Sequence, residues 1–378
     1  MIKIAVAGDY VSRYRVNELA EAGKFDVVMG EVKTTLADYD YRLVNLECPV
    51  FTSDASRIEK TGPCFKCEVS AVEMLKYAGF GGVTLANNHL CDFGPQGVEE
   101  TLATLRRFGI DIVGGGSNLE EASKILYKKL KDKTVAIINC AEHEFSIATE
   151  QTPGANPLNP VRQYRDIQEA RSKADYVLVV VHGGIEKHYY PSPRMQETYR
   201  FFIDAGADAV VNHHQHYASG YEFYQGKPIV YGVGNFCFDL TCFRNDPWNR
   251  GYVAGITFDD SGVGLQIMPF VQSDAEPSVS FLKGSDLDDF LGRIEKINTV
   301  ISSPEALKEN YNHFLEDTKG RFLSLLTPYS KRWARALYEK KLLPAYYPKK
   351  KWIELLNNIE CESHRERLIY FIKSKLAE

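Results

Sequence analysis

Short apolar runs alternate with amphipathic segments through about the first 235 residues of the chain. The apolar runs read IKIAVAG, RLVNLE, GGVTLA, TVAIINC, YVLVVVH and DAVVN, and their length and content are typical of buried strands. Helical periodicity lies between them, for example in Ser70–Tyr77, Gln96–Arg107 and Arg194–Asp204. This alternation predicts an α/β layer fold, in which helices cover the faces of a mostly parallel sheet.

The pattern changes in the second half of the chain. YEFYQGKPIVYG places two short β-rich runs around Gln-Gly, and GYVAGITFDDSGVGLQIMPFV turns at Asp-Asp-Ser-Gly, so each predicts a β-hairpin. From Ser285 to Glu378 the periodicity is helical, with many Lys, Glu, Leu and Tyr residues. We therefore predict a main domain over residues 1–284 and a helical extension over residues 285–378.

The composition excludes several classes of protein. A content of 44% hydrophobic and 25% charged residues is that of an ordinary globular protein. The net charge of −5 argues against a general nucleic-acid-binding protein. The eight cysteines include one CxxC, Cys64 and Cys67, but no second pair at zinc-ribbon spacing. With neither an export signal nor a transmembrane run in the sequence, the expected location is cytoplasmic.

Polar side chains follow the ends of five predicted strands. They are Asp9, Glu47, the Asn87-Asn88-His89 run, His182, and the group His213, His214 and His216. Ligands of open α/β sheets bind in the crevice at the carboxyl ends of the strands. Each residue alone is more often a turn former or a helix cap, but together they predict a shared site. Carboxylate, amide and imidazole ligands indicate a divalent transition metal, one or two ions of Mn, Fe or Zn.

The three histidines after DAVVN do not all have the same expected role. His214 and His216 are two residues apart, a spacing that puts both on one face of a strand. We expect these two to bind metal, and His213 to pack or to support a ligand. The other histidines, His143, His188, His313 and His364, have no comparable neighbours and are interpreted as ordinary surface or core residues.

These same residues resemble the sequence blocks of the CapA family of capsule and poly-γ-glutamate synthesis proteins, which are related to calcineurin-like metallophosphoesterases. The blocks are AGDYVSR, VNLECPV, LANNHLCDFGPQGVEET, VVVHGGIE and FIDAGADAVVNHHQHYASGYEFYQGKPIVYGVGNFCFD. They keep their order over about residues 1–270. The resemblance implies a four-layer α-β-β-α sandwich, with the helical extension outside the resembling region.

The resemblance also implies individual roles for the site residues. The implied metal ligands are Asp9, Glu47, Asn88, His182, His214 and His216, with Glu47 as the bridging carboxylate. His89 is implied to act on the substrate, and Arg13, Glu186 and Asn235 are expected to bind substrate or to support the site. The parent phosphoesterases carry a histidine at the place of Val11, so one ligand of the first metal position is missing here.

The preferred interpretation of the sequence is a metal-dependent hydrolase. Bound metal lowers the pKa of water toward about 7, and His89 would protonate the leaving oxygen. The expected substrate is a small molecule or a polymer, with a phosphoester or a capsule or poly-γ-glutamate bond at the site. The alternative is a non-catalytic metal-binding assembly factor for capsule or exopolymer biosynthesis. A nucleic-acid partner and a transmembrane segment are not expected.

Overall fold

The computed structural model describes residues 1–325, 331–340, 342–343 and 348–377. The strands in this part of the chain are β1 (Ile2–Val11), β2 (Tyr41–Leu46), β3 (Gly82–Thr84), β4 (Asp111–Val113), β5 (Gly115–Gly116), β6 (Leu126–Leu130), β7 (Lys133–Ala141), β8 (Gly154–Ala155), β9 (Tyr176–His182), β10 (Ala209–His213), β11 (Tyr221–Tyr224), β12 (Lys227–Val230), β13 (Asn235–Phe238), β14 (Arg250–Asp259), β15 (Gly262–Gln272) and β16 (Val279–Phe281).

The helices in the described residues are α1 (Tyr14–Glu21), α2 (Phe25–Thr35), α3 (Val69–Tyr77), α4 (Gly94–Arg107), α5 (Leu119–Ala122), α6 (Pro160–Lys173), α7 (Pro193–Asp204), α8 (Gly284–Ile301), α9 (Pro304–Leu325), α10 (Arg332–Glu339), α11 (Lys349–Glu360) and α12 (Glu362–Ala377). The three helices expected from periodicity correspond to α3, α4 and α7. Pro at the first helical position fits the start of α7, where a backbone N–H has no partner within the helix.

The strands form two large sheets. The first has the order β16-β15-β14-β1-β2-β3-β4, with β13 also paired to β1, and the second has the order β11-β12-β10-β9-β7-β6. The central strands β1 to β4 are parallel to one another, and so are β7, β9, β10 and β12. Both predicted hairpins are confirmed, as β11–β12 and β14–β15.

Side chains of the central strands alternate between two apolar cores. In β1, Ile2, Ile4 and Val6 pack in a core shared with β7, β9 and β10, whereas Ala5 and Ala7 pack toward α1, α2 and α3 on the opposite face. Helices α6 and α7 cover the outer face of the second sheet. The order of layers is helix, sheet, sheet, helix, so the expected four-layer α-β-β-α sandwich is confirmed.

The C-terminal helices follow the last strand, as the periodicity from Ser285 predicts. Helix α8 packs against β11 and β15, while α9, α11 and α12 pack together. A small apolar cluster joins Leu315 and Phe371 of these helices to Ile185 of the sandwich. No helix in the described residues is both long and apolar enough to cross a membrane. The division into two domains at residue 284 stays a prediction.

Candidate metal centre

The backbone around Gly8 fixes the direction of the first carboxylate of the site. A Cβ atom at Gly8 would lie 1.8 Å from the carbonyl oxygen of Gly234, so only glycine permits this close approach. The register between β1 and its neighbours shifts at the adjacent Asp9, whose side chain is fully buried. The Asp9 carboxylate accepts a 2.7 Å hydrogen bond from the amide of Asn45.

Glu47 lies directly after β2 and occupies the middle of the site. Its side chain is fully buried, and neither carboxylate oxygen has a hydrogen-bond partner in the part of the chain described here. Oε1 is 3.4 Å from Nε2 of His182, and Oε2 is 3.9 Å from Nδ1 of His216. The two oxygens therefore face two different imidazoles.

On one side of Glu47, the two imidazoles of His182 and His214 converge. Nε2 of His182 is 3.0 Å from Nδ1 of His214 and 3.0 Å from Oδ1 of Asn88. Glu47, His182 and His214 can each direct one ligand atom at the same point, and all three are buried. The amide oxygen of Asn88 adjoins this group, so four of the predicted ligands lie together.

On the other side of Glu47 are Asp9 and His216. Nδ1 of His216 is 3.4 Å from Oδ2 of Asp9, and the three side chains can also direct ligand atoms at one point. The Asn235 amide oxygen is 2.9 Å from the same His216 nitrogen. The six residues predicted as ligands thus form two groups that share Glu47.

The turn after β10 adopts an unusual backbone conformation. His214 and His216 have φ values of 84° and 58°, in the left-handed region that non-glycine residues seldom occupy. Such strain is typical of functional sites, where the surrounding structure holds it in place. In His213, by contrast, Nε2 is 2.9 Å from the carbonyl oxygen of Ala7. This contact joins the two sheets.

The ionisable side chains of this site have strongly shifted pKa values. Burial raises the pKa of Glu47 well above its ordinary value, and the Asp9 carboxylate raises it further. Burial and then the neighbouring His214 lower the pKa of His182, which keeps this imidazole neutral and able to bind a metal. Burial would lower the pKa of His216, but Glu47 and Asp9 together raise it to about 10.

The residues fit a bound divalent cation. A buried carboxylate with two unpartnered oxygens is costly without a counter-charge, and Glu47 is such a group. Carboxylate, imidazole and amide oxygen together form a suitable ligand set for Mn, Fe or Zn. Val11 is buried in the apolar core beside the outer helices, so it adds no ligand to the Asp9 group.

His89 belongs to a second polar cluster at the edge of the site. Its Nδ1 is 2.7 Å from Oδ2 of Asp92, three residues later. Lys60 pairs with the other oxygen of Asp92 and lies 3.2 Å from the same His89 nitrogen. Burial and Lys60 lower the pKa of His89 despite the contact with Asp92. Asp92 therefore orients the imidazole through one nitrogen and leaves Nε2 for other contacts.

A cavity of about 540 Å³ adjoins this cluster, and its lining includes Asn88, His89 and Glu186. Helices α11 and α12 also contribute to its wall, through residues that include Asn357 and His364. His364, interpreted from the sequence as an ordinary histidine, lines the same cavity as His89. Its position could not be expected from a sequence in which only the helical period is visible.

The three residues predicted to bind substrate lie in different surroundings. Glu186 lines the cavity, and although burial raises its pKa, four neighbouring histidines, with His216 the strongest, lower the pKa to about 2. Arg13 lines a neighbouring groove with Phe51 and Cys64, and its guanidinium lies 4.9 Å from the Phe65 ring. Asn235 is fully buried beside His216. Substrate binding by these residues stays a prediction.

A known protein family matches more than half of the chain. Residues 3–240 match the family described as "Bacterial capsule synthesis protein PGA_cap". The chain belongs to the PGA_cap family. This membership confirms the resemblance found in the sequence blocks, and the match ends before the C-terminal helices begin.

Two curated relatives of this PGA_cap protein come from Bacillus. The chain is 31% identical over 246 residues to "Capsule biosynthesis protein CapA" of Bacillus anthracis, covering 63% of this chain and 60% of that protein. It is 32% identical over 242 residues to "PGA biosynthesis protein CapA" of Bacillus subtilis, covering 63% and 64% respectively. The matched region is thus less than two thirds of either relative.

Solved structures show more distant likenesses to this PGA_cap protein. A hypothetical protein from Thermus thermophilus aligns with a TM-score of 0.47 at 16% identity, covering 71% of this chain and 98% of that one. A putative 5'-nucleotidase from Staphylococcus aureus aligns with a TM-score of 0.44 at 15% identity, covering 78% and 58%. Likenesses of this size do not establish a shared activity.

Sequence reasoning missed three residues that support the site: Asn45, Lys60 and Asp92. Asn45 lies near the end of β2, two residues before Glu47, and this spacing places both side chains on one side of an extended chain. Asp92 follows His89 by three residues, which is a common pairing distance in turns and helices. The sequence held both signals. Lys60 lies in the long segment between β2 and α3, where no regular period indicates its position.

Proposed function

We propose that this protein is a divalent-metal-dependent hydrolase that acts in capsule or poly-γ-glutamate synthesis. The observation that carries this proposal is the Glu47 carboxylate, which is buried, unpartnered in the described residues and faces a different imidazole with each oxygen. An apolar residue or a hydrogen-bonded amide would serve packing better than such a group. Its arrangement is that of a carboxylate shared between two cations.

The proposed ligands form two sets with Glu47 in common. Asp9, Glu47 and His216 would hold one ion, and Glu47, Asn88, His182 and His214 would hold the other. The expected element is Mn, Fe or Zn, in one or two ions. When bound, such ions lower the pKa of coordinated water toward about 7 and stabilise negative charge on a substrate oxygen.

The remaining steps fall to side chains at the cavity. Asp92 holds Nδ1 of His89, so in the doubly protonated imidazole Nε2 is the atom through which His89 would pass a proton to a leaving oxygen. Lys60 keeps Asp92 paired, which fixes the orientation of the imidazole. Glu186 and Arg13 are proposed to contact substrate, and Asn235 to hold the ring of His216.

The expected substrate bond is a phosphoester or phosphodiester, and a γ-glutamyl amide or other surface-polymer bond is the second possibility. The names of the two Bacillus relatives support a role in the synthesis of a capsule or of PGA. The cavity of about 540 Å³ has room for a small molecule or for one unit of a polymer. The net charge of −5 does not favour a nucleic acid.

The test combines metal analysis with turnover of two chromogenic probes. The purified full chain is assayed for Mn, Fe and Zn, and then for hydrolysis of bis(p-nitrophenyl) phosphate and γ-glutamyl-p-nitroanilide. We expect metal-dependent turnover of one probe, and a lower metal content together with loss of turnover in Glu47→Gln. His213→Gln serves as the matched control, because it alters a buried neighbour that is not a proposed ligand.

The outcomes separate the two candidate functions. Bound metal without turnover of either probe would favour the non-catalytic assembly factor, with the ions holding the strand ends together. Equal metal loss in the Glu47 and His213 variants would contradict the ligand assignment itself. A Glu47→Gln protein that retains its full metal content would remove the basis of the proposal.

A further inference from the structure

We propose that Glu144, Cys361 and His364 form a separate site for a zinc-like cation, outside the centre at the strand ends. One carboxylate oxygen, one sulfur and one imidazole nitrogen from these residues lie within 4.8 Å of one another. Cys361 is fully buried, and the other two side chains are partly buried at the cavity wall. This site is independent of the proposed hydrolase activity.

The separations between these atoms are close to those expected between ligands of one ion. Oε1 of Glu144 is 3.6 Å from Sγ of Cys361 and 3.7 Å from Nε2 of His364. A nitrogen–oxygen distance of 3.7 Å is too long for a hydrogen bond. Zinc bonds to S, N and O at tetrahedral angles imply separations of about 3.3–3.6 Å between neighbouring ligand atoms. Small side-chain shifts would therefore complete the geometry.

The chain supplies the two C-terminal ligands from one turn. Cys361 immediately precedes α12, and His364 lies three residues later in its first turn. A spacing of three residues brings both side chains to the same face of a helix. Thiolate, imidazole and carboxylate are the ligands that zinc uses in proteins, whereas Ca²⁺ and Mg²⁺ prefer oxygen alone.

A neighbouring carboxylate explains why Glu144 is the third ligand. Glu142 also lies close to Cys361, at 3.8 Å, but its oxygens already contact Arg194, Ser363 and the Gly184 amide. Glu144 has no comparable set of side-chain partners among the contacts found in the described residues, and its Oε1 points toward Cys361 and His364. The ion would be bound where α12 meets the segment after β7.

The position of this site gives it a structural consequence. Glu144 Oε1 is 3.8 Å from Nε2 of His214, whose other nitrogen belongs to the main centre. An ion at Glu144 would therefore fasten the C-terminal helices to the sandwich beside the main centre. It would hold the cavity wall formed by α11 and α12 in place.

The experiment uses cobalt as a spectroscopic probe of the thiolate. None of the six proposed ligands of the main centre is a cysteine, so a thiolate-to-cobalt charge-transfer band in the near ultraviolet reports only a cysteine-containing site. The full chain is stripped of metal, loaded with Co²⁺ and titrated against Zn²⁺. We expect the band in the unaltered protein, in Glu47→Gln and in the control Cys242→Ser, which removes an exposed cysteine.

Two variants decide the assignment. Cys361→Ser should lose the band and bind one ion fewer per chain, and His364→Gln should weaken Zn²⁺ at this site at least tenfold while Cys361 remains present. Circular dichroism shows whether each variant is folded, and His364→Gln provides the answer if Cys361→Ser is not. The absence of a band in the unaltered protein, or its persistence in Cys361→Ser, would overturn the proposal. Failure of hydrolysis would not affect it.

Discussion

The side-chain amide of Asn45 donates a 2.7 Å hydrogen bond to Oδ1 of Asp9, so a residue of β2 fixes a proposed ligand on β1. Asn45 itself is held by the hydroxyl of Thr84 on β3, at 3.2 Å. Three adjacent parallel strands therefore control the position of one carboxylate. Mutation of a group that orients a metal ligand in this way commonly lowers metal affinity by about 10–100-fold.

The variant Asn45→Ala should weaken metal binding about 10–100-fold, because Asp9 loses its orienting partner. Competition with a chromogenic chelator measures this change. The control is Asn156→Ala, since Asn156 is also buried but hydrogen-bonds to the backbone of Asn139 rather than to a proposed ligand. Equal loss of affinity in both variants would mean that general destabilisation, and not the Asp9 contact, is responsible.

The variant His89→Gln should lower kcat by about 10²–10⁴-fold while metal content stays unchanged. A proton donor matters most when the leaving group is poor. The loss of kcat in His89→Gln should therefore be smaller for substrates that release p-nitrophenolate and larger for those that release an aliphatic alcohol. Steady-state rates with a series of phosphodiesters measure this dependence. Loss of metal from the His89 variant would instead show that His89 is a ligand.

The variant Gly8→Ala should destabilise the protein by about 1–3 kcal/mol or more, as overpacking does, and weaken metal binding. The new methyl group would meet the backbone of Gly234, next to Asn235, so Asp9 and His216 would separate. Denaturant unfolding and chelator competition measure the two effects. In contrast, Gly30→Ala in α2 meets no atom within 4 Å and should be neutral or stabilising. Normal metal affinity in Gly8→Ala would contradict this account.

Stability should depend on pH through His143 and Glu362, which join the sandwich to the first turn of α12. Nδ1 of His143 is 2.5 Å from Oε1 of Glu362, and this contact raises the pKa of His143. A raised histidine pKa stabilises the fold fully below about pH 6.5, and the benefit disappears as pH rises through the raised value. Because the imidazole is partly exposed, the contribution should not exceed about 1 kcal/mol.

Unfolding free energies of the unaltered protein and of His143→Gln, measured from pH 5 to pH 9 in steps of about one unit, test this dependence. The difference between the two proteins should be largest at the acidic end and vanish at the alkaline end. Glu362→Gln should remove the same pH dependence, since it removes the charge that raises the pKa of His143. A difference that grows toward alkaline pH would have the wrong sign for this contact.

The sequence predicted that polar residues at several strand ends would lie close together, because parallel strands end at one edge of a sheet. Asp9 and Glu47 lie at the ends of neighbouring parallel strands of the first sheet, so strand ends alone bring them together. His182 ends β9 of the second sheet, and it meets them because the two sheets pack face to face. The alternation of apolar and helical segments likewise predicted the sandwich. These features depend on period and order, which a single sequence displays.

The remainder of the site depends on contacts that no period reveals. Lys60 reaches Asp92 from a long irregular segment. His364 lies on a helix that was predicted, but the surface against which this helix packs was not. Amphipathic periodicity shows that one face of a helix is covered, but it does not identify what covers that face. The left-handed backbone at His214 and His216 is also set by surrounding packing rather than by local propensity.

The wall that α11 and α12 contribute to the cavity lies outside residues 3–240, the part of the chain that matches the PGA_cap family. The strands that carry the proposed ligands and the helices that face them are thus separable in sequence. A chimera that exchanges residues 349–377 could alter the size and charge of the opening while every strand end stays in place. The architecture offers protein engineers a way to retarget the cavity without rebuilding its chemistry.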